Sequence, residues 1–263
     1  MTKIVTLPGI WISMPEWTDQ GLILSIRPHG ERNAVVSLLT LDNGRHAGLV
    51  HAYDASSRRG TVQIGNLVQA DWRARLADQL GTFQLELLKN PSAVFLDNPI
   101  KLAGLSSCCA ILDVGLPERE ANLSVWQATT ALIEIISLAD ELEDWLGFYV
   151  KWEMNLLSQL GFALNLNSCA VSGLTDALVY VSPRSGRAVH KDYAGDYADR
   201  LLRLPGFLRP EAAVADPPHA ALTDGLTLTG HFILRRVFSL IHKDLPQARL
   251  RLAHLVSKRY NIT

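Results

Sequence analysis

The sequence predicts an α+β protein in which a small five-stranded barrel of the OB type precedes an all-α helical domain with a small insert. Three observations lead to this prediction. Up to residue 90, turn residues break short apolar runs about every ten positions, which is typical of an all-β unit. After residue 91, apolar residues recur at three- and four-residue spacing, which is typical of helices. A stretch rich in turn residues, 165–209, then interrupts the helical pattern and predicts the insert.

Five segments predict the strands of the barrel. Asp42, Asn43 and Gly44 tolerate a positive φ, so they predict a hairpin turn between the second and third strands. Five strands in about 75 residues suit a small closed barrel. The segments are residues 22–26, 34–41, 47–53, 67–74 and 82–88.

Five helices and one hairpin complete the predicted chain. Residues 182–186 predict the turn of a hairpin between strands 178–181 and 188–189. The helices are predicted at residues 100–114, 123–142, 145–160, 226–242 and 247–259. The resulting divisions are an N-terminal extension (1–13), the barrel (14–90), the first part of the helical domain (91–164), the insert with its connector (165–222) and the last helical part (223–263).

Charge is distributed unevenly along the chain. The 25 Lys and Arg residues and 26 Asp and Glu residues give a net charge of −1. Residues 14–90 are neutral overall, residues 91–168 carry −7 and residues 169–263 carry +5. A net charge near zero therefore does not exclude a nucleic acid as partner, because the basic surface that such a partner requires is a local property.

Enzyme and metal-site motifs are missing from the sequence. It contains no phosphate-binding loop, dinucleotide-binding glycine pattern, zinc-protease motif or nucleophile elbow, and its eight histidines are scattered. A structural zinc site needs about four Cys or His ligands in paired spacing. In the insert, Cys169 stands alone, and Ser172 occupies the position of a second cysteine. We expect no catalytic residues, no cofactor and no metal.

Composition also bears on location. Three cysteines do not form the disulfide framework of a secreted protein. Pro8 breaks the first apolar run, which no cleavage site follows. No apolar stretch reaches the roughly 18 residues of a membrane-spanning helix. We expect a cytoplasmic protein with no membrane partner.

Seven arginines in or beside the loops and strand ends of the barrel are candidate phosphate-binding residues. OB barrels bind single strands with cationic grooves and stacking aromatics, for which Tyr53 and Trp72 are candidates. Ordinary solvated loop charge is an equally good explanation, since the barrel is not net basic. The C-terminal cations, including Arg235 and Arg236, either form a second such surface or complement the acidic helical segment. The seven are Arg27, Arg32, Arg45, Arg58, Arg59, Arg73 and Arg75.

Particular segments carry a family resemblance over nearly the whole chain from Met14. The most specific are residues 156–162 with Cys169, and residues 180–189, Tyr-Val-Ser-Pro-Arg-Ser-Gly-Arg-Ala-Val. With the other matching segments, they resemble the RecO family of bacterial recombination mediators, in its proteobacterial branch. The resemblance implies an N-terminal OB domain, a helical domain and a zinc-finger-like insert. Some family members carry four cysteines in the insert. Because this chain has only Cys169 there, we expect its insert to be metal-free. Further matches are residues 16–24, 42–60, 201–208 and 229–232.

The resemblance also implies a role in DNA repair and recombination. It implies binding of single- and double-stranded DNA, annealing of complementary strands and, with RecR, help in loading RecA onto DNA coated by the single-stranded-DNA-binding protein. It therefore places the protein at the nucleoid. Arg58 and Arg59 match a basic segment of the family.

A site for the acidic C-terminal tail of the single-stranded-DNA-binding protein is implied on the helical domain. Lys151, beside Trp152, matches a basic position there; a lysine lying along a helix surface is the alternative. Two other function classes remain open, an OB-fold RNA-binding protein and a protein scaffold without annealing activity. An enzyme has no visible set of acid, base and nucleophile to support it.

Overall fold

A computed structural model describes residues 4–7, 10–209 and 219–260, with side chains from Met14 onward. The chain forms two compact units. The first comprises the residues up to 98 together with 108–126, and the second comprises 99–107 together with the residues from 127 onward. Within the described ranges, no helix combines the length and apolar character needed to cross a membrane. The predicted limits of the domains stay predictions.

Five strands close a barrel in the first unit, which confirms the predicted OB-type architecture. The strand order around the barrel is β3-β4-β5-β7-β6, with β3 also paired to β6. Strands β5 and β7 pair in parallel and the other neighbours are antiparallel. In the predicted N-terminal extension, two further strands, β1 and β2, pair antiparallel. The strands are β1 (Ile4–Leu7), β2 (Ile10–Ser13), β3 (Glu16–His29), β4 (Asn33–Thr40), β5 (Arg45–Val50), β6 (Leu67–Arg73) and β7 (Thr82–Lys89).

Strand β3 is longer than the predicted residues 22–26 because it pairs with two neighbours. Its first half pairs with β6 and its second half with β4, and the register shifts between Ile23 and Ser25. A bulge of this kind bends a strand, as closure of a small barrel requires. Strand β5, by contrast, ends at Val50, so Tyr53 lies in the following loop.

The buried carboxylate of Asp19 fixes the turn between β4 and β5. It accepts hydrogen bonds from the backbone N–H of Asp42 at 2.8 Å and from the side-chain amide of Asn43 at 2.9 Å. Gly44 follows with a φ of +66°, and a Cβ there would lie 2.2 Å from the carbonyl oxygen of Glu120. A buried acceptor and a glycine thus specify the turn that the sequence predicts.

Helices dominate the second part of the chain, as predicted. The second predicted helix, 123–142, ends earlier because Asp144 accepts the backbone N–H of Glu141 at 2.9 Å and forms a turn there. The fourth, predicted at 226–242, begins at His219 and ends in a π turn and a 3-10 turn. The helices are α1 (Pro91–Val94), α2 (Pro99–Gly115), α3 (Leu123–Leu138), α4 (Glu143–Gln159), α5 (His219–Ile233) and α6 (Gln247–Arg259).

The insert is built on a three-stranded sheet, β10-β8-β9, which confirms the predicted hairpin. The strands are β8 (Leu178–Val181), β9 (Ala188–His190) and β10 (Leu202–Arg203). The Cys169 thiol is buried and accepts the backbone N–H of Val171 at 3.4 Å and of His190 at 3.3 Å. Burial alone would raise the pKa of this thiol, but these N–H groups and Ser172 lower it to about 7. The zinc-finger-like character stays a prediction; in the described part of the chain, no three Cys, His, Asp or Glu side chains are placed to hold a metal.

Candidate nucleic-acid interface

Two loops at one end of the barrel, residues 30–32 and residues 51–66, form a connected surface that we call the loop surface. The backbone N–H of Tyr53 donates to the carbonyl oxygen of Arg32 at 3.1 Å. The guanidinium of Arg32 lies 3.9 Å from the carboxylate of Asp54. Both side chains are exposed, so this ion pair contributes little stability and Arg32 remains accessible.

Arg58 and Arg59 lie in the second of these loops. Their backbone N–H groups both donate to the carbonyl oxygen of Ala55, at 2.8 and 3.1 Å, which forms a turn. Nη1 of Arg58 donates to the carbonyl oxygen of His51 at 2.6 Å, and Nε of Arg59 donates to that of Asp54 at 2.9 Å. Each bond orients a guanidinium but uses one of about five N–H donors. Most of the donors therefore remain available to a ligand.

The structure does not bring all seven predicted arginines together. Arg73, at the end of β6, is exposed, and its Nε lies 3.6 Å from the Glu16 carboxylate. The side chains of Arg27 and Arg75 are also exposed and form no hydrogen bond or ion pair with any residue that the structure describes. Arg32 contacts the second loop through Asp54, and Arg58 and Arg59 bond within that loop. Among the described residues, no hydrogen bond or ion pair joins the side chains of Arg27, Arg73 or Arg75 to these three arginines.

Arg45 serves the fold of the first unit. Its side chain is 14% exposed, with Nε donating to the carbonyl oxygen of Leu116 at 2.8 Å and Nη1 lying 3.3 Å from the Glu118 carboxylate. Its own carbonyl oxygen accepts the backbone N–H of Arg119 at 2.8 Å. Arg45 thus attaches the segment after α2 to the barrel, and few of its donors face solvent.

Trp72 is a core residue, so the prediction that it offers a stacking face is wrong. It is 2% exposed, stacks on Trp17 with ring centroids 5.6 Å apart, and donates its indole N–H to the carbonyl oxygen of Leu80 at 3.0 Å. Tyr53 is half-buried and packs against the same core. Trp72 therefore offers no aromatic face, and the charged side chains of the loop surface are its three arginines together with Glu31 and Asp54.

His46 lies in this aromatic core with no hydrogen-bond partner for either ring nitrogen among the described residues. Its ring centroid is 4.7 Å from that of Trp72. Burial, followed by the nearby charge of Arg119, lowers the pKa of His46 to about 4, although Glu118 opposes the shift. The imidazole is therefore neutral at physiological pH.

The two residues of the predicted tail site, Lys151 and Trp152, differ in exposure. Lys151 is exposed on α4, with Nζ 5.9 Å from the ring centroid of Phe148, which is itself 49% exposed. Trp152 is 4% exposed and donates its indole N–H to the hydroxyl of Thr129 at 3.0 Å. Lys151 thus faces solvent beside an exposed aromatic ring, while Trp152 supports the helix from inside.

A pocket of about 310 Å³ in the same unit also combines apolar walls with a cation. Helix α2 contributes Leu102 and Ala103, and α6 contributes Arg251. An apolar cavity next to a guanidinium can accept an apolar side chain beside a carboxylate.

Arg249, one of the basic residues of the C-terminal segment, lies inside the protein. Its Nε and Nη2 donate to the two carboxylate oxygens of Glu153 at 2.6 and 3.0 Å, and Nη2 also donates to the carbonyl oxygen of Leu226 at 2.8 Å. The hydroxyls of Tyr149 and Thr229 donate to the same carboxylate. Burial alone would lower the pKa of Arg249, but the charge of Glu153 outweighs it and raises the pKa. Sequence reasoning missed this network.

Known proteins match both units of the chain. The family model described as Recombination protein O N terminal matches residues 14–91, and that described as Recombination protein O C terminal matches residues 96–246. The chain is similar to three proteins named DNA repair protein RecO. It is 47% identical to that of Rhodospirillum centenum over 90% of this chain and 92% of the relative. It is 44% identical to that of Rhodospirillum rubrum, over 90% and 95%, and 39% identical to that of Cereibacter sphaeroides, over 93% and 100%.

Proposed function

We propose that this chain, which belongs to the RecO family of DNA repair proteins, binds single- and double-stranded DNA, anneals complementary strands and, with RecR, helps to load RecA onto DNA coated by the single-stranded-DNA-binding protein. Membership of the family gives it a role in DNA repair. The finer activities are the proposal, and the loop surface is the observation that supports it. No catalytic step is part of the proposal, and we place the activity in the cytoplasm at the nucleoid.

The arginines of the loop surface are suited to the phosphate backbone. Guanidinium groups form paired hydrogen bonds with phosphate oxygens, and such contacts carry no sequence information, so they suit a protein that acts at any gap. Arg58 and Arg59 come first in this assignment, with Arg32 beside them. Arg27, near the end of β3, and Arg73 and Arg75, at and just after the end of β6, add exposed cations to the barrel. Arg45 positions the segment that follows α2.

Annealing follows from neutralising two strands. Complementary strands repel each other through their phosphates, and a cationic protein that binds both lowers that repulsion and brings the bases into reach. Because bound counterions are released, affinity should fall steeply as salt rises. A protein scaffold without annealing activity would show no such step.

Strand annealing on bare DNA and on DNA coated with the single-stranded-DNA-binding protein tests the proposal. We expect the unmodified chain to anneal both substrates and Arg58→Glu/Arg59→Glu to anneal slowly, with single-stranded DNA affinity reduced at least tenfold. Arg200→Glu/Lys258→Glu makes the same change in charge at two exposed positions of the other unit and serves as the control. If the unmodified chain anneals neither the bare nor the coated DNA, the proposal is contradicted. If RNA competes for binding as well as single-stranded DNA does, the RNA-binding alternative is favoured.

We further propose that Lys151 binds the acidic tail of the single-stranded-DNA-binding protein, with the exposed ring of Phe148 as the adjacent apolar contact. Titration of a labelled tail peptide should give an affinity about tenfold lower for Lys151→Glu, because the change removes an ion pair and adds a repulsion. Arg251→Glu tests the pocket between α2 and α6 as the other location. Unchanged affinity in both variants would remove this part of the proposal.

A further inference from the structure

The turn between β8 and β9 is fixed firmly to the end of α5. The ring of His231 hydrogen-bonds the carbonyl oxygen of Pro183 at 3.0 Å, and Nη2 of Arg236 donates to that of Ser185 at 2.7 Å. Gly186 has a φ of +72°, and a Cβ there would lie 2.5 Å from Nη2 of Arg236. The turn is therefore held in one position relative to α5, and Arg236 is used for this purpose.

Three exposed arginines surround this anchored turn. Arg184 and Arg187 belong to the turn itself, and Arg235 precedes the anchoring Arg236 in the chain. Burial, and after it the charge of Arg235, lowers the pKa of Arg236, so the two guanidinium groups repel each other. None of the three exposed arginines forms an ion pair with a residue that the structure describes. We call Arg184, Arg187 and Arg235 the hairpin surface.

The segments that carry the hairpin surface contain no acidic residue. Residues 177–191 and 225–243 hold six Lys and Arg residues and no Asp or Glu, with Asp176, Asp192, Asp224 and Asp244 at their four ends. Two other cations of the same unit do have acidic partners: Glu153 for Arg249 and Glu141 for Arg259. Unpaired charges of one sign on a fixed support produce a positive potential that attracts a polyanion.

We propose that the hairpin surface binds the phosphate backbone of a single nucleic-acid strand, as a second strand site besides the loop surface. The inference rests on the proposed function, since it assumes that the chain brings two strands together. Exposed guanidiniums suit phosphates, and a rigid turn loses little conformational entropy when the strand binds. The anchored geometry is what distinguishes these arginines from mobile surface charges.

Four full-length proteins test the second site: the unmodified chain, Arg184→Gln/Arg187→Gln/Arg235→Gln, a loop-surface variant Arg32→Gln/Arg58→Gln/Arg59→Gln, and the combination of both triple changes. Binding of a single-stranded oligonucleotide is followed by fluorescence anisotropy over a range of salt concentrations. We expect the hairpin variant to lose about tenfold or more in affinity. The slope of log binding constant against log salt concentration should become shallower by about 2, since each lost phosphate contact to a single strand contributes roughly 0.7. The combined variant should lose more than either.

Two controls accompany these proteins. Arg200→Gln/Lys258→Gln/Arg259→Gln removes the same charge from exposed positions of the same unit and should retain affinity. Replacing Arg184, Arg187 and Arg235 by Lys keeps the charge and should retain most of the salt dependence. Because Arg184, Arg187 and Arg235 have exposed side chains, we expect unchanged thermal unfolding in both hairpin variants.

The outcomes separate the second site from the proposed function. If the hairpin variant binds like its charge-matched control while the loop-surface variant is weakened, the second site is overturned and the loop surface stands. If neither triple change affects DNA binding, the proposed interface fails as well. If the hairpin variant loses binding of an acidic protein but keeps that of DNA, the hairpin surface is a protein contact and the inference is wrong.

Discussion

The loop surface and the interior of the helical unit use the same side chain in opposite ways. Arg58 and Arg59 each make one side-chain hydrogen bond to a backbone carbonyl, which leaves most of their donors unused. Arg249 makes three hydrogen bonds within the interior, two of them to Glu153. An accessible guanidinium with unused donors can recognise phosphate, whereas one that is buried against a carboxylate holds helices together.

The difference shows that the number of basic residues in a segment does not measure its capacity to bind DNA. Of the C-terminal cations, Arg249 is internal and Arg236 binds the carbonyl oxygens of Phe162 and Ser185. In the barrel, Arg45 is likewise used by the fold. The capacity to bind DNA depends on how many guanidinium N–H donors form no hydrogen bond within the protein.

The largest effect should come from breaking the buried ion pair. Arg249→Met leaves the Glu153 carboxylate buried without its counter-ion, which typically costs about 3–5 kcal/mol. We expect the free energy of unfolding, measured by urea denaturation, to fall by about that amount, with single-stranded DNA affinity unchanged in whatever fraction stays folded.

The double variant Glu153→Leu/Arg249→Met is the control. Because it removes both charges together, it should recover a large part of the lost stability. If Arg249→Met alone were as stable as the unmodified chain, the ion pair with Glu153 would not contribute to the fold as described, and the contrast with the loop surface would disappear.

The second effect concerns the barrel core and depends on pH. The pKa of His46 is lowered from 6.5 to about 4, so below pH 6.5 the unfolded chain binds a proton that the folded chain does not. Stability is therefore complete above pH 6.5 and falls as the pH drops toward 4, by about 3 kcal/mol in total at 1.36 kcal/mol per pKa unit. Urea denaturation at several pH values should show this loss.

His46→Phe isolates the imidazole from the carboxylates that titrate in the same range. Phe keeps an aromatic ring among Trp17, Trp72 and Phe83 and removes the proton-binding group. As the pH falls from 6.5 to 4, the free energy of unfolding of His46→Phe should rise relative to that of the unmodified protein. A constant difference over that range would show that His46 has the same pKa in the folded and unfolded chains, against the shift described.

The sequence predicts the barrel well because its signals are local. Strand spacing, the turn at Asp42–Gly44 and the change of period after residue 91 each depend on a few neighbouring residues. The alternation of Val68, Ala70 and Trp72 was itself a sign that Trp72 faces the core, and it should have excluded a stacking role. The extra length of β3 was not predictable in this way, since it depends on pairing with two partners distant in sequence.

The division of arginines into structural and accessible ones could not be predicted because it depends on long-range contacts. Arg45 meets Leu116, 71 residues away, and Arg249 meets Glu153, 96 residues away. One signal was present: Glu153 is an acidic residue four positions after Tyr149, in a helix whose other buried residues are apolar. A lone charge on an apolar helix face needs a partner, although the sequence does not identify which cation supplies it.

The smallest effect compares two arginines of the barrel directly. Arg45→Gln should lower the free energy of unfolding by about 1–2 kcal/mol, since it removes the hydrogen bond to Leu116 and the contact with Glu118, and should leave DNA affinity nearly unchanged. Arg59→Gln should leave stability within about 0.5 kcal/mol and lower single-stranded DNA affinity several-fold, because one phosphate contact is lost. Urea denaturation and anisotropy on the same two proteins separate the effects. If Arg45→Gln weakened DNA binding as much as Arg59→Gln, the guanidinium of Arg45 would bind phosphate in spite of its bonds within the fold, and donor availability would not be the property that selects the DNA-binding arginines.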